Sequence, residues 1–307
     1  MTPHAPASVT CAEKLKDSLS LLEGRFAEST VDVSKQNGQD DEDINIVSYR
    51  TCGRGPAVVL LHGISSGASS WLQCALRLEQ DAQVIAWNAP GYGRSSSLPQ
   101  MQPSAGDYAD QLELFLEALG ISNCVLVGHS LGAMMASAYV GKGYKRASRL
   151  LLISPAQGYG SEAKRARGEQ IAQERLDVLR TIGVEGMADR SPARMLSAQA
   201  GDTERAWVRW NIQWLNPAGY TQAVHMLCGD DLRAYAPRDV LGDVPATVYC
   251  GADDVVTTPD DSRELAWNLN LPFHLIDNAG HACYIEQPGA VAAAIRHQLS
   301  GHLYKPN

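Results

Sequence analysis

Gly128-His129-Ser130-Leu131-Gly132 has the G-x-S-x-G form, in which a sharp strand-to-helix turn lifts a serine hydroxyl above the end of a strand. A serine hydroxyl is a weak nucleophile until a base takes its proton, and that base needs an acid to orient it. A second match, Gly63-Ile64-Ser65-Ser66-Gly67, competes for the role. The surroundings favour Ser130. The apolar run Cys124 to Val127 precedes it, and the small residues Gly132, Ala133, Ala136 and Ala138 follow, whereas Gly67 and its neighbouring serines delay any helix after Ser65. Ser65 reads as a loop serine.

Of the eight histidines, His281 is best placed as the base, because Asn278-Ala279-Gly280-His281 forms a loop directly after the last apolar run. His62 and His129 flank motif positions and read as loop-shaping residues. For the acid, Gly251-Ala252-Asp253-Asp254 follows the penultimate apolar run. Spacing alone leaves both carboxylates open.

These residues need a frame. Apolar runs at 57–61, 84–87, 124–127, 150–153, 247–250 and 273–276 read as strands buried on both faces, and helical stretches at 71–80, 108–119, 130–144, 260–269 and 290–299 separate most of them. Strand–helix alternation of this kind builds a doubly wound sheet through right-handed crossovers. Before it, 30–34 and 44–49 read as a hairpin around a polar loop. Residues 156–238 carry no strand signal and read as a helical cap inserted after the sixth strand, so 30–155 and 239–307 form the core. In the N-terminal extension, residues 1–29, Leu15, Leu19, Leu22 and Phe26 share one helical face. Packing on the core and contact with a second copy in a homo-oligomer both fit that face.

Across nearly all of Ile44 to Leu299 the chain resembles the α/β-hydrolase superfamily. The resemblance implies an α/β-hydrolase fold: a mainly parallel eight-stranded sheet, helices on both faces and a cap after strand 6. The order Ser, Asp, His is that superfamily's order. Its G-x-x-D pattern implies Asp254 as the acid, and Leu60-Leu61-His62-Gly63-Ile64 is similar to its oxyanion loop. The backbone N–H groups of Ile64 and Leu131 are thereby implied as the oxyanion hole. Asn88, opening Asn88-Ala89-Pro90-Gly91-Tyr92-Gly93, departs from the usual Asp at a structural position. Within the superfamily the chain looks most like small cap-bearing carboxylesterases and enol-lactonases, which act through an acyl-enzyme on Ser. Hydrolases that cleave C–C bonds of meta-cleavage products share the fold and triad, and a ligand receptor on the same fold is a further alternative. Epoxide hydrolases and haloalkane dehalogenases place Asp where this chain has Ser130.

Composition bounds the partners. The 307 residues carry a formal net charge of −8, with no basic run to neutralise phosphates, so neither nucleic acid nor an anionic membrane is expected, and a small-molecule substrate is. Seven scattered cysteines without a C-x-x-C pair suggest neither a zinc site nor a disulfide framework. Residues 1–10 lack the basic flank and apolar core of an export signal, and no run of about 18 apolar residues exists to span a bilayer, so a cytoplasmic location is expected. The chemistry calls for no cofactor and no metal. In the cap, Trp207, Trp210 and Trp214 share a helical face that reads as core packing or a substrate wall, and Arg190 and Arg194 are candidates for a substrate carboxylate.

Overall fold

Five consecutive apolar residues, Ala57–Leu61, offer no polar face to water, so both sides of their strand must be covered. In the computed structural model, which describes residues 11–34, 44–235 and 244–300, they form β3 inside an eight-stranded sheet and all five are buried. The other strands are β1 Glu28–Asp32, β2 Ile46–Cys52, β4 Gln83–Trp87, β5 Cys124–His129, β6 Ala147–Ile153, β7 Ala246–Gly251 and β8 Phe273–Ile276. Their spatial order is β1-β2-β4-β3-β5-β6-β7-β8. Only β2 pairs antiparallel, with β1 and β4; β4 through β8 run parallel. Leu61 lies beside Gly128 and His129 beside Ile153, so β3, β5 and β6 end level and release their loops at one rim.

Helices fill the crossovers: α1 Cys11–Arg25, α2 Leu72–Leu78, α3 Ala105–Ala118 and α4 Leu131–Gly141. Between β6 and β7 come α5 Arg165–Arg190, α6 Pro192–Met195, α7 Asp202–Ile212 and α8 Pro217–Gly229. The chain ends through α9 Pro259–Leu269, α10 Cys283–Glu286 and α11 Pro288–Ser300. Helix α4 has apolar residues on all sides, with Ser137 and Tyr139 its polar side chains, and every residue from Leu131 to Val140 is buried, as a helix enclosed between sheet and neighbouring helices requires. Each buried Leu or Met contributes about 1.5–3 kcal/mol. The helical insertion is clasped at its roots, where Leu232 N donates to Gln157 O at 2.9 Å and Gly160 N to Asp230 O at 2.8 Å.

Several boundaries differ from the sequence reading for identifiable reasons. Helix α3 begins three residues early because Ser104 and Asp107 form a reciprocal capping box, each side chain accepting from the other's backbone N–H. The strand after α4, β6, starts at Ala147 rather than 150. The hairpin strands pair with Asp32 opposite Ile46, and the polar loop 35–43 lies outside the described residues. Leu22 and Phe26 of the N-terminal extension are fully buried, with Leu15 and Leu19 partly buried against the same core. Buried Arg50 on β2 donates to Phe26 O at 2.8 Å, which ties the end of α1 to the sheet.

Asn88, just beyond β4, explains its own departure from the family pattern. Its Oδ1 accepts from Ala68 N at 2.8 Å while Nδ2 donates to Glu28 Oε1 and to Ser48 Oγ, both at 2.9 Å. A carboxylate there would lose both donors and face Glu28. Asn88→Asp is therefore expected to lower stability by about 1–3 kcal/mol at pH 7, read from urea unfolding midpoints. An unchanged midpoint would remove this role for the carboxamide.

Candidate active site

Ser130 follows β5 and precedes α4 with φ 53° and ψ −114°, a backbone geometry that L-residues avoid at a cost of about 1–3 kcal/mol. The strain is held in place by crowding. A Cβ at Gly128 would meet Gly132 O at 2.4 Å, and one at Gly132 would meet Leu61 O at 2.5 Å. Only glycine on both sides lets β3, β5 and α4 close around the turn, and the Ser130 amide is anchored to Ile153 O at 2.9 Å. Ser65, in the competing motif, lies in the loop after β3 with ordinary negative φ, although it lines the same cavity.

The loops after β7 and β8 touch. A Cβ at Gly251 would meet Gly280 O at 2.1 Å, and Asp253 N donates to Ala279 O at 2.9 Å. This approach brings His281 Nδ1 within 2.9 Å of Asp254 Oδ2, with both side chains buried, while Asp253 is exposed. Asp254 Oδ1 also accepts from the amides of Val256 and Thr257 at 2.7 and 3.0 Å. Thr257 Oγ1 lies 3.0 Å from Asp254 Oδ2 and 3.2 Å from His281 Nδ1, a bridging residue that no motif in the sequence had signalled. Burial alone would raise the Asp254 carboxyl; the hydrogen bond and charge of His281 and the two amides outweigh it and hold the group well below the usual carboxylate range. With Nδ1 donating to Asp254, Nε2 of His281 keeps its lone pair. No hydrogen bond among the described residues engages that nitrogen or the Ser130 hydroxyl, and such contacts commonly tighten only when substrate is bound.

Ser130 and His281 line one cavity of about 330 Å³, together with Ile64 and Leu131. Neither the Ile64 nor the Leu131 amide donates a hydrogen bond among the described residues. His62 fixes the first of them. Its Nε2 accepts from Ala89 N at 3.0 Å, which assigns the proton to Nδ1, and Nδ1 donates to Gly63 O at 2.9 Å. The Gly63 carbonyl and the Ile64 N–H share one trans peptide plane, so holding the carbonyl toward His62 turns the N–H the other way. Tyr92 steadies the next peptide by donating to Ile64 O at 2.8 Å. His129 Nε2 donates to His281 O at 2.8 Å and so supports the loop that carries His281.

The cavity roof comes from the insertion, and the structure places the substrate-binding candidates of the sequence differently around it. Trp210, Trp214 and Arg190 do not line it. Trp207 and Trp210 stack at 5.0 Å on α7, which packs against α1 and α5, and Trp214 lies past the helix end, 69% exposed. Arg190 sits exposed at the last residue of α5. Lys164, Arg175, Arg194 and Leu227 reach the cavity instead. Of these, the sequence had singled out only Arg194. Among the described residues no group of three or more His, Cys, Asp and Glu is placed to hold a metal ion, and no helix is long and apolar enough to cross a membrane.

Two of the supporting histidines make a pH-dependent prediction. Burial pushes His62 down to about 4; burial, with the neighbouring His281, pushes His129 down to about 3. Both folded values lie below the ordinary 6.5, so the stability that the neutral rings contribute is complete above pH 6.5 and is lost as the pH falls through those values. The expected slope in that window is up to about 1.4 kcal/mol per pH unit for each ring. Asp254, held below its ordinary 3.8, adds a loss only at still lower pH. Ring-nitrogen NMR at pH 5 should show two histidines still neutral; titration of every histidine near 6.5 would contradict the buried neutral state.

Residues 58–294 match the alpha/beta hydrolase family. N-formylmaleamate deformylase of Pseudomonas putida is 27% identical over 237 residues, covering 75% of this chain and 83% of that protein. An uncharacterized protein of Mycobacterium tuberculosis is 34% identical over 107 residues, 35% of this chain, and the match spans only 31% of that protein's length. Among solved structures, a thermophilic esterase from Thermogutta terrifontis shares the fold with a TM-score of 0.75 at 22% identity, covering 89% of this chain and 98% of that one. The enol-lactonase from Burkholderia xenovorans does so at 0.73 and 24%, covering 83% and 97%. The family match, lying on the strands and loops that bring Ser130, Asp254 and His281 to one rim, makes this chain a member of the alpha/beta hydrolase family.

Proposed function

We propose that the protein hydrolyses a small carboxylic ester or lactone through Ser130, His281 and Asp254. One observation carries the reading: a serine with left-handed backbone opens into the cavity that also holds an imidazole whose far nitrogen is locked on a buried carboxylate. His281 Nε2 takes the Ser130 proton as Oγ attacks the carbonyl carbon, and Asp254 stabilises the imidazolium that forms. The tetrahedral oxyanion accepts from the Ile64 and Leu131 amides, which have no competing acceptor among the described residues. Collapse transfers the imidazolium proton to the leaving alcohol oxygen as the C–O bond breaks and the acyl group stays on Ser130. Water, deprotonated by His281, then attacks the acyl carbon, releases the carboxylic acid and returns the proton to Oγ.

A cavity of about 330 Å³ suits a small molecule. The names of the Thermogutta esterase and the Burkholderia enol-lactonase point to the same bond types. Thr257 acts here as a positioning residue, since its hydroxyl touches both members of the Asp254–His281 pair.

The test is a panel of short 4-nitrophenyl esters, lactones and vinylogous diketones with wild type, Ser130→Ala and Asp254→Asn. Either substitution should lower kcat on esters by about 10⁴-fold or more. A fluorophosphonate probe should label Ser130 and spare Ser65. Ester turnover that survives in Ser130→Ala, or label on Ser65, would sink the mechanism; turnover of diketones alone would move the reaction to C–C cleavage.

A further inference from the structure

We infer that the substrate carries a carboxylate besides its scissile carbonyl group, bound under the cavity roof by Arg175 and Arg194 with Lys164 nearby. This substrate class rests on the hydrolase reading above. The sign of the cavity wall carries it. The chain as a whole has a net charge of −8, yet the charged side chains of the roof are two arginines and a lysine. None of the three has a carboxylate within ion-pair distance among the described residues. The acid in the wall, Asp261, is engaged by its own helix terminus, with Oδ2 accepting from Thr258 Oγ1 at 2.7 Å.

The fold places the Arg175 guanidinium by a hydrogen bond and Arg194 by its backbone. Arg175 lies midway along α5, and its Nη1 donates to the hydroxyl of buried Tyr220 on α8 at 3.3 Å, which leaves other donors of the fork for a ligand. Arg194 lies on α6 beside Met195, whose carbonyl accepts from Ala282 N at 2.8 Å, one residue beyond His281. A cation on the segment bonded to the His281 loop, and a second on α5, both lining the cavity, suit an acyl chain that presents its carbonyl to Ser130 and its acid group to the roof. Planar guanidinium matches carboxylate geometry with paired hydrogen bonds, and the half-burial of Arg175 strengthens its share relative to water, whereas Arg194 meets the ligand from the exposed rim. Lys164 is half-buried and also feels the charge of Asp231, so its share is smaller.

The experiment compares kcat/KM for monoethyl glutarate with that for neutral ethyl pentanoate, and measures calorimetric binding of glutarate and of inorganic phosphate to Ser130→Ala. Wild type should prefer the anionic ester by at least tenfold. Arg175→Gln and Arg194→Gln should each collapse that ratio toward one, Lys164→Gln less so, and Ser130→Ala should bind glutarate more tightly than phosphate. A wild-type ratio near one, or a ratio that the arginine substitutions leave intact, would overturn the carboxylate subsite, as would phosphate binding better than glutarate. Failure of the parent reading looks different: glutarate bound in an arginine-dependent way while neither ester is turned over would retire the hydrolase and keep the subsite. Ester turnover with neither discrimination nor glutarate binding would retire the subsite alone.

Discussion

The backbone of Ser130 is the constraint on which the rest of the site depends. A residue with positive φ at the end of a parallel strand costs free energy, and it persists only because β5, α4 and β3 are packed too closely for any relaxed alternative. The almost wholly apolar, buried surface of α4 and the buried register of β3 against β5 hold that wedge shut. Stability of the core and exposure of one hydroxyl are thus the same structural fact. The helix that buries its whole surface also begins with an amide, that of Leu131, which has no intrahelical acceptor and faces the cavity region.

Around this turn the buried polar groups divide into neutral and charged members according to their partners. His62 and His129 are enclosed without a carboxylate partner, so desolvation keeps both uncharged, and each spends its hydrogen bonds on loop backbone. Asp254 is just as enclosed but receives an imidazole, a hydroxyl and two amides, so it stays ionised. Neutral imidazoles set the loops and the buried Asp254 carboxylate sets the electrostatics, so the two neighbouring rings bring no charge to compete with Asp254 for His281.

Much of this was legible in the residues. Runs such as Ala57–Leu61 and Cys124–Val127 could be placed because strands buried on both faces are apolar without alternation, and Gly-His-Ser-Leu-Gly marked a turn that only glycine can flank. Asp254 and His281 were legible as loop residues after successive strands, although spacing could not separate Asp254 from Asp253; burial against His281 does. The roof was much less legible. Trp210, Trp214 and Arg190 were singled out by residue type, but which face of a helix meets a cavity depends on how the insertion folds back, and α7 turns its tryptophans away from the site. Lys164 and Arg175 converge from separate positions through tertiary packing that carries no local period.

That packing also links the roof to His281. Glu286, in α10, accepts from Gly280 N at 2.7 Å and from Ser197 Oγ at 2.6 Å, while Ala282 N donates to Met195 O at 2.8 Å. Two hydrogen-bonded ties therefore join the loop carrying His281 to the segment carrying Arg194, on either side of the imidazole. A shift of the roof large enough to move Arg194 must break or drag these contacts, and dragging them displaces His281 in the cavity it shares with Ser130. The roof segment 194–197 and the loop 280–286 are in this way parts of one hydrogen-bonded block, joined directly by Ser197 with Glu286 and by Ala282 with Met195.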